Sequence, residues 1–269
     1  MKDFLWALNF LTIVPTGRRW YERQPNVGNV VFWFPIIGLL IGVVLTFFYF
    51  LATRFFPHLV ADAVILIIYI VLTGGFHLDG FADTCDGLFG GSTREKRLDI
   101  MRDSRTGSYG ALCLICTVGL KYICLVSIDP GSVAALSVIS DYEIIKDLNP
   151  LYLHVCEKGK VLFFMCAIGR WSQVLGAALS GYARDEGGTG KIIVENVKIR
   201  HALFSSIVPG ILIFLFCGIT GISIFFIVFI VVALFVSYVK EKIGGMTGDT
   251  LGAANEIGEL TVLLSFLTI

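Results

Sequence analysis

The sequence predicts an all-α fold: a polytopic helical membrane protein with about six to seven transmembrane helices and a polar site that faces the cytoplasm. Hydrophobic residues make up 56% of the 269 residues and charged residues only 16%. The mean hydropathy of +0.81 is too high for a water-soluble fold of this length. Apolar runs of roughly 20 residues recur along the chain, and a helix of that length crosses about 30 Å of hydrocarbon.

The apolar runs define six spans, which we place at residues 34–56, 59–76, 109–128, 161–181, 202–219 and 222–239. A last segment, 251–269, is apolar only over its final third, so we expect it to enter the bilayer partway or to line a cavity. Residues 1–33 contain an apolar stretch followed by Pro15 and Arg18 instead of a small-residue cleavage site, which favours a cytoplasmic or interfacial segment. Residues 129–160 are too polar to span and are predicted to form an external loop.

Basic residues show which side of the membrane each connection occupies. With the amino terminus inside, the inner segments hold fifteen Lys and Arg residues and the outer segments four. This places the polar motifs on the cytoplasmic side. The formal net charge is zero, so nothing indicates nucleic-acid binding. With no repeat and no soluble appendage, residues 1–269 are interpreted as a single integral membrane domain whose partner is the lipid bilayer, and a homo-oligomer is left open.

Three aspartates follow the second predicted span. On a helix that turns about 100° per residue, Asp79, Asp83 and Asp86 point from one face. A solvated acidic face is the ordinary alternative, but carboxylates beside apolar flanks are costly unless a cation, a partner or a water-filled cavity stabilises them. The pattern therefore indicates a metal site. His77 would point away from Asp79, which favours a packing or hydrogen-bonding role for its side chain.

A second helix is predicted to complete this site. Gly90 and Gly91 end the first helix, and Ser92 to Glu95 has the form of a capping box that starts another. Asp103, Gly107 and Gly110 repeat the offsets of the three aspartates, so a continuous helix would place the Asp103 carboxylate above two glycines. Four carboxylates without histidine or thiolate favour Mg²⁺, with Mn²⁺ as an alternative, over zinc. Such cations commonly support phosphoryl transfer.

Basic and glycine-rich segments provide candidate substrate contacts. Arg102 and Arg105 bracket Ser104 and could bind phosphate, or could equally be positive-inside anchors. Arg170 lies within a span, where a charge needs a partner. Two cytoplasmic segments rich in glycine add further candidates. These are Arg184, Gly187 and Gly188 in the first segment and Asp249 and Glu256 in the second, where the carboxylates could contact substrate hydroxyl groups or provide further metal ligands.

Four segments, Gly74–Gly87, Met101–Gly110, Tyr182–Gly190 and Gly244–Glu259, together resemble the signature segments of the cobalamin synthase family, the adenosylcobinamide-GDP ribazoletransferases. The resemblance implies a Mg²⁺-dependent enzyme of the prokaryotic cytoplasmic (inner) membrane. Its substrates would be adenosylcobinamide-GDP and α-ribazole or α-ribazole 5′-phosphate, with GMP released.

The resemblance also implies roles for the candidate residues. The metal ligands, one of which would also act as the general base, are Asp79, Asp83, Asp86 and Asp103. The substrate contacts are Arg102, Ser104, Arg105, Arg170, Arg184, Gly187, Gly188, Asp249 and Glu256.

Two other functions fit parts of the pattern. The CDP-alcohol phosphotransferases have a similar cluster of aspartates, but their motif continues with Gly-x-x-Ala-Arg, whereas this chain continues Gly87-Leu88-Phe89-Gly90-Gly91. A cation or metabolite transporter would also contain intramembrane carboxylates, but its acids would lie near mid-bilayer and its halves would be paired. The sequence shows neither feature.

Overall fold

A computed structural model describes residues 2–15, 26–128, 150–184 and 189–268, and these fold into ten helices with one isolated β-bridge. In chain order the helices are α1 (Lys2–Leu11), α2 (Val27–Ala52), α3 (His58–Thr73), α4 (Phe76–Gly90), α5 (Arg94–Ile100), α6 (Ser108–Ser127), α7 (Pro150–Leu179), α8 (Thr189–Asn196), α9 (Ile199–Ile243) and α10 (Gly248–Thr268).

Four helices in the described residues are long and apolar enough to cross a membrane, namely α2, α6, residues Val155–Leu179 of α7, and α9. The number rises to five if α3 and α4, which meet at 87°, form one broken span. These spans support the predicted class of polytopic helical membrane protein. The predicted number of six to seven crossings stays a prediction. Residues 129–149 of the predicted external loop lie outside the described residues, while residues 150–160 belong to α7.

The sharp bend between α3 and α4 depends on two glycines. Gly74 and Gly75 have φ values of 64° and 67°, a left-handed conformation that L side chains rarely adopt. The sequence predicted one span over 59–76 with the aspartates at its end. Instead the chain turns almost at a right angle, and α4 carries all three aspartates on a helix of its own.

Helix α9 covers both predicted spans 202–219 and 222–239, and it reverses direction between them. Gly218 has a non-helical conformation, with φ 60° and ψ −144°. The Trp171 indole donates to the Ala202 carbonyl at 3.1 Å, and its ring lies 4.3 Å from the Phe225 ring. A straight helix would separate residues 202 and 225 by about 34 Å. The two halves of α9 therefore fold back against one side of α7.

Helix α7 is the centre of the bundle and packs against α2, α9 and α10. Gly38 and Gly42 of α2 face its backbone, and a Cβ atom added at Gly42 would lie 2.5 Å from the Phe163 Cα atom. The two glycines, four residues apart, thus permit the close packing of α2 on α7.

A buried ion pair fixes the end of α7 that is remote from α4. Lys158 lies 3.1 Å from the Asp62 carboxylate of α3 and also donates to the Leu125 carbonyl of α6. Both charged side chains are almost fully buried. The pair therefore joins three helices at this end, since a charge buried in an apolar bundle is tolerated only with a partner.

Replacing Gly42 by alanine tests the α2–α7 contact. We expect Gly42→Ala to lower the thermal unfolding temperature, because the added methyl group would collide with the α7 backbone. Gly119→Ala is the matched control, since a Cβ there meets nothing within 4 Å. Alanine should stabilise that helix by up to about 1 kcal/mol. Scanning fluorimetry of the detergent-solubilised protein measures both, and equal melting temperatures would contradict the packing.

Candidate active site

The acidic face of α4 consists of side chains with graded exposure. Asp79 is exposed, Asp83 is half-buried and Asp86 is buried. The first turn of α10 lies against this face: a Cβ atom added at Gly80 would lie 2.9 Å from the Asp249 carbonyl oxygen. Asp83 lies within electrostatic reach of the other three carboxylates. The structure thus brings Asp249, predicted as a substrate contact or a further metal ligand, beside the other predicted metal ligands.

Asp249 is held by a cation and a hydroxyl group. Arg184 lies 2.9 Å from its Oδ2 atom, and the Thr247 hydroxyl donates to the same oxygen at 3.3 Å. Burial raises the pKa of Asp249 above its usual value, and the nearby Asp79 charge acts in the same direction. Hydrogen bonding and charge from Arg184, and a hydrogen bond from Thr247, act in the opposite direction. Arg184 therefore sits at the edge of the acidic face, where it partly neutralises the carboxylates.

Asp86 is bound to the beginning of α6. Its carboxylate accepts the backbone N–H groups of Gly107 at 2.7 Å and Gly110 at 2.8 Å. A Cβ atom at either glycine would collide with this carboxylate. An anion at a helix N-terminus is stabilised by the unpaired N–H groups and by the helix dipole. Asp86 thus acts as a tertiary cap that fixes α6 relative to α4.

The predicted alignment of Asp103 with the two glycines is wrong. Helix α5 ends at Ile100, and the next helix begins only at Ser108, so no continuous helix joins Asp103 to Gly110. Thr93, not Ser92, caps α5 by accepting the Lys96 N–H at 3.2 Å. Asp86 from the neighbouring helix occupies the position beside the glycines instead.

Asp103 lies at the rim of the site. It is bound by Arg105, whose Nη2 atom is 2.6 Å from Oδ2, and these hydrogen bonds lower the pKa of Asp103 to about 2. Asp103, Arg105 and Asp86 line one open cavity of about 470 Å³. Arg102 and Ser104 are exposed beside it. Asp103 and Asp86 therefore face the same cavity.

Arg94 joins the two segments that carry Arg184 and Asp249. Its guanidinium donates to the Ala183 carbonyl at 2.7 Å and to the Ile243 carbonyl at 3.0 Å. The same segments form a parallel β-bridge between Tyr182 and Met246. The sequence did not reveal this role, because a side chain that recognises backbone carbonyls leaves no residue pattern.

Deeper in the bundle, α10 carries two carboxylates into a fully buried network. Lys121 lies 2.6 Å from Glu256 and 2.5 Å from Glu259, and Arg170 pairs with Glu259. Tyr69 donates to Glu259 at 2.5 Å. Arg170 has the partner that the sequence demanded, but both it and Glu256 are 0% exposed. Their predicted contacts with substrate remain predictions.

His77 extends this network on the side of α4 that faces the bundle. Its Nε2 atom lies 3.0 Å from the Gln173 amide nitrogen, which donates to Asn255 at 3.0 Å. The Nδ1 atom has no partner among the described residues. His77 thus has the hydrogen-bonding role that the sequence favoured.

The described residues include the oxygen ligands that a hard cation prefers, although these ligands do not surround a single position. Asp79, Asp83 and Asp249 present only carboxylate oxygens, the ligands that Mg²⁺ prefers. No three Asp, Glu, His or Cys side chains in the described part of the chain are close enough to hold an ion together. Gly187 and Gly188, predicted to contact substrate, lie outside the described residues.

The structure is an apolar helical bundle with a carboxylate-rich polar face, which fits the class of polytopic helical membrane proteins. The chain belongs to the cobalamin-5-phosphate synthase family, whose model matches residues 3–267. It is a transferase of that family, as the resemblance implied.

Curated relatives match almost the whole chain. An adenosylcobinamide-GDP ribazoletransferase from Acetivibrio thermocellus is 33% identical over 266 residues, covering 99% of this chain and 97% of the relative. Enzymes with the same name from Clostridium novyi and Escherichia coli are 30% and 31% identical, covering 100% and 99% of this chain and 97% and 100% of the relatives. None of the solved structures compared matches the chain.

Two substitutions test whether Asp86 stabilises the fold and Asp83 does not. We expect Asp86→Asn to lower the free energy of unfolding by about 2 kcal/mol, because one charge-assisted hydrogen bond to α6 is lost. Asp83→Asn should leave stability unchanged or raised, since it removes a charge from among like charges. Asp99→Asn, exposed on α5, controls for the loss of one charge. Denaturant titration checks the order, and equal losses for Asp83 and Asp86 would contradict it.

Removing the Arg94 guanidinium should loosen the segments around the β-bridge. We expect Arg94→Gln to speed hydrogen exchange about tenfold in peptides covering residues 181–184 and 243–248, because hydrogen bonds from a charged group are worth roughly 1.5–3 kcal/mol. Lys96→Gln is the matched control on the exposed face of the same helix. Unchanged exchange in the Arg94 variant would show that the bridge holds without it.

Proposed function

We propose that the chain transfers adenosylcobinamide phosphate from adenosylcobinamide-GDP to α-ribazole, or to α-ribazole 5′-phosphate, and releases GMP. The family membership and the names of the relatives support the reaction. The observation that supports its location is the convergence of Asp79, Asp83 and Asp249 beside Arg184. Adjacent carboxylates repel one another, and a bound divalent cation would relieve that repulsion while neutralising charge on the substrate phosphates.

The residues of this chain would have distinct roles in this reaction. Asp79 and Asp83 would hold Mg²⁺, or Mn²⁺ in its place, with Asp249 close enough to join them. Asp86 keeps the α6 N-terminus fixed and Asp103 lies at the rim, so both would act at the edge of the site. Arg184 would bind the pyrophosphate of the substrate, with which a guanidinium can make paired hydrogen bonds. Arg102, Ser104 and Arg105 are the exposed groups that would meet the rest of the substrate.

The proposed step is a displacement at phosphorus. The 3′-hydroxyl oxygen of α-ribazole forms a bond to the cobinamide-linked phosphorus while the anhydride P–O bond breaks. GMP leaves with that electron pair, and the hydroxyl proton passes to one of the carboxylates on α4. The polar face would open to the cytoplasm, where the soluble nucleotide product is released, with the bundle lying in the inner membrane.

An assay of GMP release tests the function directly. We expect the purified protein in detergent or lipid nanodiscs to release GMP from adenosylcobinamide-GDP only when α-ribazole and Mg²⁺ are both present. Asp83→Asn should reduce the rate by at least about a hundredfold while the protein stays folded. Asp99→Asn should match the wild type. No release by the wild type would overturn the reaction, and wild-type turnover in Asp83→Asn would overturn the assignment of the site.

A further inference from the structure

Two adjoining cavities lie where α2 and α9 begin, outside the acidic face. Their volumes are about 620 and 550 Å³. Both are lined by Asn26, Gly28, Arg200 and His201, so they form one continuous depression, here called the α2–α9 cavity. None of its lining residues belongs to the proposed active site.

The larger part of the α2–α9 cavity is positively charged. Lys191, Lys198 and Arg200 line it together with one carboxylate, Glu195, which lies 3.8 Å from Lys191. The neighbouring part adds Asp3. The cations in the larger part thus outnumber the carboxylate by two, and a concave wall of one charge attracts an anion more strongly than an open surface does.

Backbone geometry adds to this potential. Lys198 is the N-cap of α9, and its N–H group donates to the His201 Nδ1 atom at 3.0 Å. Val27, the first residue of α2, lines the same cavity, and the Asn26 side chain makes no capping hydrogen bond there. The positive ends of two long helices therefore meet at a cavity that already contains an excess of cationic side chains.

The smaller part of the cavity is apolar on one wall. Phe32, Trp33 and Phe204 line it, and Phe204 is 60% exposed. These residues lie in the second turns of α2 and α9, two of the candidate membrane spans. The basic groups thus lie at the level where the apolar helix surfaces begin, which is the level of the lipid headgroups.

We propose that the α2–α9 cavity binds an anionic phospholipid. Its headgroup phosphate would be bound by Lys198 and Arg200, and an acyl chain would lie along the aromatic wall. Basic pockets between membrane helices on the cytoplasmic side bind anionic headgroups in this way. A free phosphate offers the same anion but would leave the aromatic wall unused. GMP could stack its base on that wall, but the wall lies at the start of two candidate membrane spans, where acyl chains are close by, so we assign the site to a lipid.

Retention of lipid by the full-length protein tests the proposal. The protein is reconstituted in nanodiscs with equal amounts of phosphatidylglycerol and phosphatidylcholine, extracted in detergent, and analysed by native mass spectrometry. We expect the wild type to retain phosphatidylglycerol preferentially. Lys198→Gln/Arg200→Gln should lose about tenfold or more of this preference, because each basic group near a headgroup contributes about 1 kcal/mol.

The matched control removes the same charge from the other end of the same helix, in Lys240→Gln/Lys242→Gln, and should behave as the wild type. The site would be overturned if the two double variants retained phosphatidylglycerol with the same preference, whether that preference was unchanged or reduced. Arg200→Gln alone, with a smaller expected loss, serves if the double variant does not fold. Displacement of the lipid by millimolar inorganic phosphate or GMP would assign the cavity to a soluble anion and overturn the lipid. The readout does not involve turnover, so it is independent of the proposed function.

Discussion

The bundle depends on the neutralisation of charges that it buries completely. Glu259 is bound by Lys121, Arg170 and Tyr69, and Glu256 shares the Lys121 ammonium group. Two cations and two carboxylates thus balance in a place that water does not reach. Removing one member would leave a charge without its counterpart, at a cost of about 3–5 kcal/mol. The four charges hold α6, α7 and α10 in one relative position, and the Tyr69 hydroxyl joins α3 to them.

The relative position of these helices determines where the polar face lies. Asp249 precedes Glu256 by two helical turns on α10. Once Glu256 is held by Lys121, the first turn of α10 has no freedom to slide along α4, and the tight approach at Gly80 fixes its rotation. A fully buried network thereby sets the distance between Asp249 and the aspartates of α4. Carboxylates that repel one another at the polar face are thus positioned by ion pairs between other residues in the interior.

Local patterns in the sequence were enough for the helices and for the acidic stripe, because periodicity and apolar length act within one segment. They failed where the outcome depends on contacts between segments. Equal spacing placed Asp103 over Gly107 and Gly110, but the end of α5 at Ile100 removed the helix on which that spacing relied, and Asp86 took the position. Arg170 required a partner, and nothing local indicated Glu259, 89 residues away.

The reversal of α9 at Gly218 has a topological consequence. His201 lies against Gly28 at the start of α2, and the Ile243 carbonyl lies beside Arg94, so α9 returns to the end of the bundle at which it began. Because α9 begins and ends at the same end of the bundle, the following helix, α10, starts from that end as well. The end of the bundle at which α10 begins is therefore preserved as long as the two arms of α9 match in length.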